Sequence, residues 1–305
     1  MIFFEPTSAI DSVARVQEVM CRMAGSIEIA MFGSTSISPH FRPCPARRRL
    51  AKWPPMKPTR LLLASAVLSA FSSFALADSA KPLALSPAPH PGKEAKHASF
   101  NEISKKGEAP LVFLGDSITE GWGGKGKAAW EQYWAPMGAA NFGIGGDRTE
   151  HILWRLANGN YDGLKPKLTV LMIGTNNTGH QGRPMAEHGG AVYSSTAEET
   201  AAGVTEIVKV LKEKQPQMKI LLLAIFPRGA TPEDKMRQQN ERTNQLIAKL
   251  DDGKTVFFMD INKDFLEADG TLSKDIMPDL LHPNEKGYEI WSKAIEARVK
   301  ELMAE

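Results

Sequence analysis

Pro110 to Lys127 reads PLVFLGDSITEGWGGKGK. An apolar run passes straight into a turn built from glycines, acids, a serine and lysines. Leu111–Leu114 contains no polar residue, so a strand here would be covered on both faces. That is the mark of a parallel sheet held between helix layers. The pattern recurs in Ala139–Phe142, Leu168–Ile173 (LTVLMI), Lys219–Phe226 (KILLLAIF) and Thr255–Met259. Helical patterns lie between these runs. They are Lys127–Trp134, Thr149–Leu156 with Ile152, Leu153 and Leu156 on one face, a long helix opened by Thr196, Pro232–Leu250, and Glu285–Met303. Thr196 and Glu199 have the spacing of a capping box. Five buried strands alternating with helices predict an α/β fold with a five-stranded parallel sheet covered on both faces. Ligands in such folds sit at the carboxyl ends of the strands.

The chain has 305 residues, 42% hydrophobic and 24% charged, which is enough for a sizeable core. Its formal charge of +2 is unevenly spread. Residues 1–77 carry 9 Lys+Arg against 4 Asp+Glu, so the remaining chain is mildly acidic, with 28 against 31. A nucleic-acid footprint would need clustered Lys and Arg, and the body has none.

Residues 1–55 show no helical or strand period. From Met56 the chain reads MKPTRLLLASAVLSAFSSFALADSA. Lys57 and Arg60 make a basic start, Leu61–Leu76 an apolar stretch, and Ala75-Leu76-Ala77 a small-residue cleavage site, the three parts of a secretory signal peptide. Such signals begin a chain, so Met56 is expected to be the true start and 1–55 a non-native upstream extension. The apolar stretch is short for a bilayer, so no membrane anchor is expected once the signal is cleaved. Both cysteines, Cys21 and Cys44, precede Met56. The body therefore has no disulfide framework, thiolate metal site or cysteine nucleophile. Export without disulfides suits a bacterial periplasmic or secreted protein. Residues 78–96, rich in Pro and Ala, read as a linker, with the folded domain from 97 to 305.

The strand ends carry the chemistry. Gly115-Asp116-Ser117 follows the first strand, and Gly143-Ile144-Gly145-Gly146-Asp147-Arg148 the second. Gly174-Thr175-Asn176-Asn177 follows the third and Pro227-Arg228-Gly229 the fourth. Beyond the fifth comes Asp279-Leu280-Leu281-His282. A phosphate loop is excluded. Gly121–Lys127 matches G-x-x-x-x-G-K, but Ala128 stands where a magnesium-binding Ser or Thr is required. The glycine run also starts several residues after the strand. GIGGDR fails as a dinucleotide fingerprint because Arg148 replaces the third glycine. Acyl transfer fits better. A serine hydroxyl needs a base within hydrogen-bond reach and donors for the developing oxyanion. The D-x-x-H spacing lets one short loop supply both the base and the carboxylate that orients it.

With these blocks in order, the body resembles the SGNH, or GDSL, hydrolase family: GDS at Ser117, GIGG at Gly146, GTNN at Asn176, DxxH at His282. NFGIGGDRTEHILWRLANG, KPKLTVLMIGTNN, IFPRG and DLLHPNEKGY are similar to the catalytic subunits of platelet-activating factor acetylhydrolase and their bacterial relatives. The resemblance runs from about His97 to the C-terminus. It implies a flavodoxin-like α/β/α sandwich with sheet order 2-1-3-4-5. It also implies Ser117 as nucleophile, His282 as base and Asp279 as third triad member. The oxyanion hole would be the N–H groups of Ser117 and Gly146 with the Asn176 amide, Gly145 being the alternative to Gly146. No metal or cofactor is implied. The expected activity is hydrolysis of acetyl or short-acyl esters, carried on a lipid or on a carbohydrate. The alternative is an inactive binding or scaffold protein on the same fold. The mammalian subunits pair, so the resemblance extends to a homodimer.

Asp116, Trp122, Arg148 and Asn177 are the further candidates for lining the pocket. Each also has a structural reading: Asp116 steadying its turn, Trp122 a core or rim aromatic, Arg148 an ion pair at a helix start, Asn177 a turn residue. His151 reads as helix packing, and His180 and His188 as solvated loop residues. Residues 178–195, TGHQGRPMAEHGGAVYSS, are longer than the resemblance leads one to expect. They follow a strand end, so they should border the pocket and shape acyl or alcohol specificity.

Overall fold

The apolar runs become strands because each can bury both faces. In the computed structural model, which describes residues 81–304, they are β1 (Leu111–Gly115), β2 (Ala139–Gly143), β3 (Leu168–Met172), β4 (Lys219–Leu223) and β5 (Val256–Met259). All pairings among them are parallel, in the order β2-β1-β3-β4-β5. Two further two-residue strands, Pro184–Met185 and Ala191–Val192, form a separate antiparallel ribbon between β3 and β4. Counted over all seven strands of the described residues, the sheet order is therefore 2-1-3-6-7. The upstream stretch 1–55, the signal segment 56–77 and residues 78–80 of the expected linker lie outside the described residues.

Five helices cover the sheet: α1 (Glu94–Lys106), α2 (Thr149–Ala157), α3 (Ala197–Lys214), α4 (Lys235–Ile247) and α5 (Glu285–Ala304). Strand side chains alternate between two cores. Val112 and Leu114 of β1 pack with Phe100 of α1, Ile152 of α2, Val204 of α3 and Ile247 of α4. Leu111 and Phe113 point the other way, into a core closed by Trp122, Trp134 and α5 residues Trp291 and Ile295. The result is three layers, as the continuous apolar strands require. Among the described residues no helix is long and apolar enough to cross a membrane.

Local chemistry sets the element ends. Glu199 N–H donates to Thr196 Oγ1 at 3.1 Å, and Thr196 N–H to the Glu199 carboxylate at 2.8 Å, closing the expected box at α3. The helix expected at Pro232 starts at Lys235, because the Asp234 carboxylate accepts the Met236 and Arg237 N–H groups. β4 stops short of Phe226. The Ile225 N–H and C=O are met instead by the Asn244 side chain, at 2.8 and 2.9 Å. Lys127–Trp134 is one short helical turn followed by a wider π-type turn.

The expected linker is not one within residues 81–96. Ala84 and Ala88 are buried, Thr149 Oγ1 donates to Ala84 C=O at 2.8 Å, and α1 already begins at Glu94. Pro and Ala composition resembles a linker, but small side chains also let a segment with a single 3-10 turn lie close against a helix.

Gly115 ends β1 under a close approach. A Cβ there would fall 2.2 Å from Thr119 Oγ1 and 2.4 Å from Met172 C=O, so the one-turn helix Ser117–Glu120 sits directly over the strand end. On the opposite face, Trp291 is fully buried, with ring centroids 4.6 Å from Trp122 and 4.9 Å from Phe226. Trp291→Ala is expected to cost about 3–5 kcal/mol, read as a lower midpoint in urea unfolding.

Candidate active site

Ser117 is the first residue of the one-turn helix after β1 and is half-buried. Asp116 caps that turn by accepting the Ile118 N–H at 3.0 Å. The loop ahead of α5 brings His282 across from a distant part of the chain. Ser117 Oγ lies 2.8 Å from His282 Nε2, and His282 Nδ1 lies 2.6 Å from Asp279 Oδ2. A carboxylate only accepts, so Nδ1 carries the proton and Nε2 faces the serine as an acceptor.

Asp279 does more than touch the ring. Its Oδ1 accepts the His282 N–H at 2.7 Å and the Leu281 N–H at 3.1 Å. Leu280 turns the loop with a left-handed φ of 60°, and its carbonyl accepts the Gly229 N–H beyond β4 at 2.9 Å. Burial opposes ionisation of Asp279, but the hydrogen bonds from the His282 side chain and amide outweigh it and hold the carboxyl below its usual value. The two side chains are 42% and 56% exposed, so as a surface ion pair they add at most about 1 kcal/mol of stability. The consequence of the contact is orientation of the imidazole.

Gly146 and Asn176 meet through Asp147. The Asn176 side-chain amide donates to the Asp147 carbonyl at 2.9 Å, tying the turn after β3 to the turn after β2. One amide hydrogen of Asn176 is left over. Among the described residues the N–H groups of Ser117 and Gly146 donate to no protein acceptor. The Gly145 N–H does donate, to the Glu120 carboxylate, which also pairs with Lys96. Gly145 is thereby spent, and Gly146 is the glycine of the pair whose amide can meet a substrate.

The pocket-lining candidates fare differently. Trp122 is fully buried in the core beneath α5, packed in tilted and edge-on contacts with Tyr288, Trp291 and Trp134, because its turn points the indole inward. Asn177 is also fully buried. Its amide donates to Thr149 Oγ1 and Tyr193 Oη, each at 2.8 Å, and its oxygen accepts the Thr149 N–H. Arg148 is buried as well, pairing with Glu150 and Glu187 and lying 4.5 Å over the Tyr193 ring. These three support the site instead of lining it. Asp116, the residue before Ser117, is buried.

Arg148 explains the long segment 178–195. Glu187, Met185 and Tyr193 fold back onto the start of α2 around its guanidinium. His180 Nδ1 accepts from Arg148 at 2.8 Å, so it is not a loosely solvated residue; burial, then the nearby Arg148 charge, lowers it to about 4. His151 is packed as expected. Burial, partly opposed by Asp147, drives it down to about 2, and its Nδ1 accepts the Arg148 N–H at 3.1 Å.

His90, Asp147 and His151 place one ligand atom each within 4.8 Å of one another. Two of the three are committed elsewhere, His151 through the Arg148 N–H that its Nδ1 accepts. Asp147 Oδ2 accepts from Arg155 at 2.6 Å, and the two imidazoles stack at 4.3 Å and 20°, so their in-plane lone pairs do not converge. The set fits a hydrogen-bond network and not a cation. Sequence reasoning missed His90, Glu120, Asp147 and Arg155. It also missed Arg228, which donates to the Thr175 carbonyl at 2.7 Å and braces the turn before Asn176. The only available signals were the position of Asp147 directly after Gly146 and of Arg228 in the loop that follows the fourth apolar run.

A family model described as GDSL-like Lipase/Acylhydrolase matches residues 113–290. Over 210 residues the chain is 36% identical to platelet-activating factor acetylhydrolase IB subunit alpha1 of Pongo abelii, covering 68% of this chain and 83% of that one. The alpha2 subunit of Rattus norvegicus is 36% identical over 211 residues, covering 69% and 84%. Among solved structures, a putative platelet activating factor from Streptococcus pneumonia superposes with a TM-score of 0.53 at 20% identity, covering 78% of this chain and 99% of that one. An acetylxylan esterase from Geobacillus stearothermophilus does so at 0.50 and 21%, covering 63% and 93%; both share the fold. The class of protein is thus a carboxylic ester hydrolase. The chain belongs to the GDSL-like lipase/acylhydrolase family.

Asp116 gives the site a measurable pH signature. Burial raises its carboxyl from 3.8 to about 7; the Ile118 hydrogen bond opposes this, Asp147 adds to it, and His282 and Arg228 oppose it. The folded protein therefore keeps a proton that the unfolded chain releases near pH 4. That contribution to stability is complete below about pH 4 and is lost as pH rises towards 7. Asp116→Asn preserves the acceptor for Ile118 and removes the titration. Its urea midpoint is expected to gain on the wild type between about pH 4 and 7.

Proposed function

We propose that this enzyme is an exported serine esterase that removes acetyl or other short acyl groups. The observation that carries the reading is the unbroken chain of hydrogen bonds from Ser117 Oγ through His282 to Asp279, at 2.8 and 2.6 Å. Ser117 Oγ attacks the ester carbonyl while its proton passes to His282 Nε2. Asp279 holds the Nδ1–H and stabilises the imidazolium. The Ser117 and Gly146 N–H groups and the remaining Asn176 amide hydrogen receive the oxyanion. As the intermediate collapses, His282 gives its proton to the leaving alcohol. Water, deprotonated by His282, then attacks the acyl-enzyme, and the acid leaves as Ser117 Oγ regains the proton.

Relatives named as acetylhydrolases, 34–36% identical, support acetyl as the acyl group. The alcohol is a lipid or a carbohydrate. Export rests on the signal-like stretch 56–77, and N-terminal sequencing of the natural protein is expected to find a start at or close to Asp78. A start well upstream would sink that part of the reading.

A substrate panel tests the chemistry: p-nitrophenyl acetate, butyrate and octanoate, acetylated xylan, and an acetyl phospholipid. Acetate is expected to be cleaved fastest of the aryl esters. Ser117→Ala is expected to lower kcat by about 10⁶-fold and Asp279→Asn by about 10⁴-fold. Undiminished turnover by Ser117→Ala would refute the mechanism.

A further inference from the structure

We propose that His90, from the segment ahead of α1, is a positioning residue for the oxyanion turn, acting through Asp147. The inference rests on the serine-esterase reading of the site. Asp147 is the hub. Its carbonyl accepts from the Asn176 amide at 2.9 Å, and its own N–H follows the Gly146 carbonyl in the same turn. Its fully buried carboxylate is gripped from two sides. Arg155 Nη1 donates to Oδ2 at 2.6 Å, and His90 Nδ1 meets Oδ1 at 2.8 Å.

Arg155 is anchored on the sheet side, donating to the Phe142 carbonyl at 2.7 Å and to Asn160 at 3.0 Å. It therefore fixes one oxygen of Asp147 to the frame. The other oxygen has His90 as its hydrogen-bond partner, with His151 Nδ1 standing off at 3.7 Å. The imidazole also lies against Gly146 itself: a Cβ on Gly146 would fall 2.9 Å from His90 Cε1. The ring's far face stacks on His151 at 4.3 Å, and His151 Nδ1 accepts the Arg148 N–H, the next backbone group along the turn. His90 thus contacts or backs each residue from Gly146 to Arg148.

The segment that delivers His90 is built in. Ala84 and Ala88 are buried, and the Ala84 carbonyl accepts from Thr149 Oγ1. It lies ahead of residues 113–290, where the family model matches. A loose turn would leave Ser117, His282 and Asp279 intact yet misaim the Gly146 N–H and the Asn176 amide. Those groups act when charge develops on the oxyanion, so the loss should fall on kcat and not on KM.

The test is steady-state hydrolysis of p-nitrophenyl acetate by the full chain and its His90→Ala, His90→Asn and His90→Gln variants, with thermal melting of each. Asn places its amide N–H where histidine holds Nδ1, whereas Gln reaches further, to the Nε2 position. His90→Ala is expected to lower kcat about tenfold with KM within about twofold, a fraction of the loss on deleting an oxyanion donor. His90→Asn should return kcat to within about threefold of wild type, and His90→Gln should not. Unchanged kcat in His90→Ala, equal loss in all three variants, or kcat that simply follows melting temperature would overturn the proposal. An inactive wild type, or an active Ser117→Ala, would instead refute the esterase reading on which it rests.

Discussion

The close approach at Gly115 constrains everything else in the site. The one-turn helix carrying Ser117 lies so near the sheet that a single Cβ would collide with Thr119 and with the Met172 carbonyl of β3. The serine is thereby held at a fixed height over the ends of β1 and β3, where neighbouring strand ends can surround it. β2 and β3 then deliver Gly146 and Asn176 from either side of β1, because the sheet order places both strands next to it. The base arrives by a longer route, on the loop before α5. That loop is tied back by Gly229 donating to the Leu280 carbonyl.

Beneath these groups lies an unusual density of buried charge. Asp147, Arg148, Glu150 and Arg155 are all nearly inaccessible to water. Leaving one such charge unpaired costs several kcal/mol, so each must find a partner, and the partners reach across elements. Arg155 joins α2 to Asp147 and β2, while Arg148 joins α2 to Glu187 of the long segment after β3. The same requirement that keeps these charges satisfied makes the turns around the serine rigid. That rigidity is what an oxyanion site needs, since its donors must be in place before the charge appears.

Much of this was legible beforehand because the fold concentrates function at strand ends. Five apolar runs announced the sheet, and the residues following them included Ser117, Gly146, Asn176 and, further on, Asp279 and His282. What the motifs left open has one cause. Trp122 was a pocket candidate from its nearness to Ser117 along the chain, with a core position as the other reading, and one helical turn swings its indole into the core beneath α5. Asn177 stands next to Asn176, and its structural reading holds, with its amide buried against Thr149 and Tyr193. Residues 78–96 looked like a linker because composition reports flexibility and says nothing of what a neighbouring helix offers to the described part, 81–96. Ala84 and Ala88 are buried by α2 and α3, which are more than sixty residues away in sequence.

The sequence by itself determined the sheet, the layers and the identity of the groups around Ser117, since periodicity and strand-end motifs are local properties. Only the tertiary structure decided which of two adjacent glycines keeps a free amide. Glu120, twenty-five residues upstream, takes the Gly145 N–H and leaves that of Gly146. Likewise it alone joined His90, Asp147 and Arg155 into one clamp. Hydrogen-bond partners separated by tens of residues leave no periodic trace in a chain, and packing is what chooses among them.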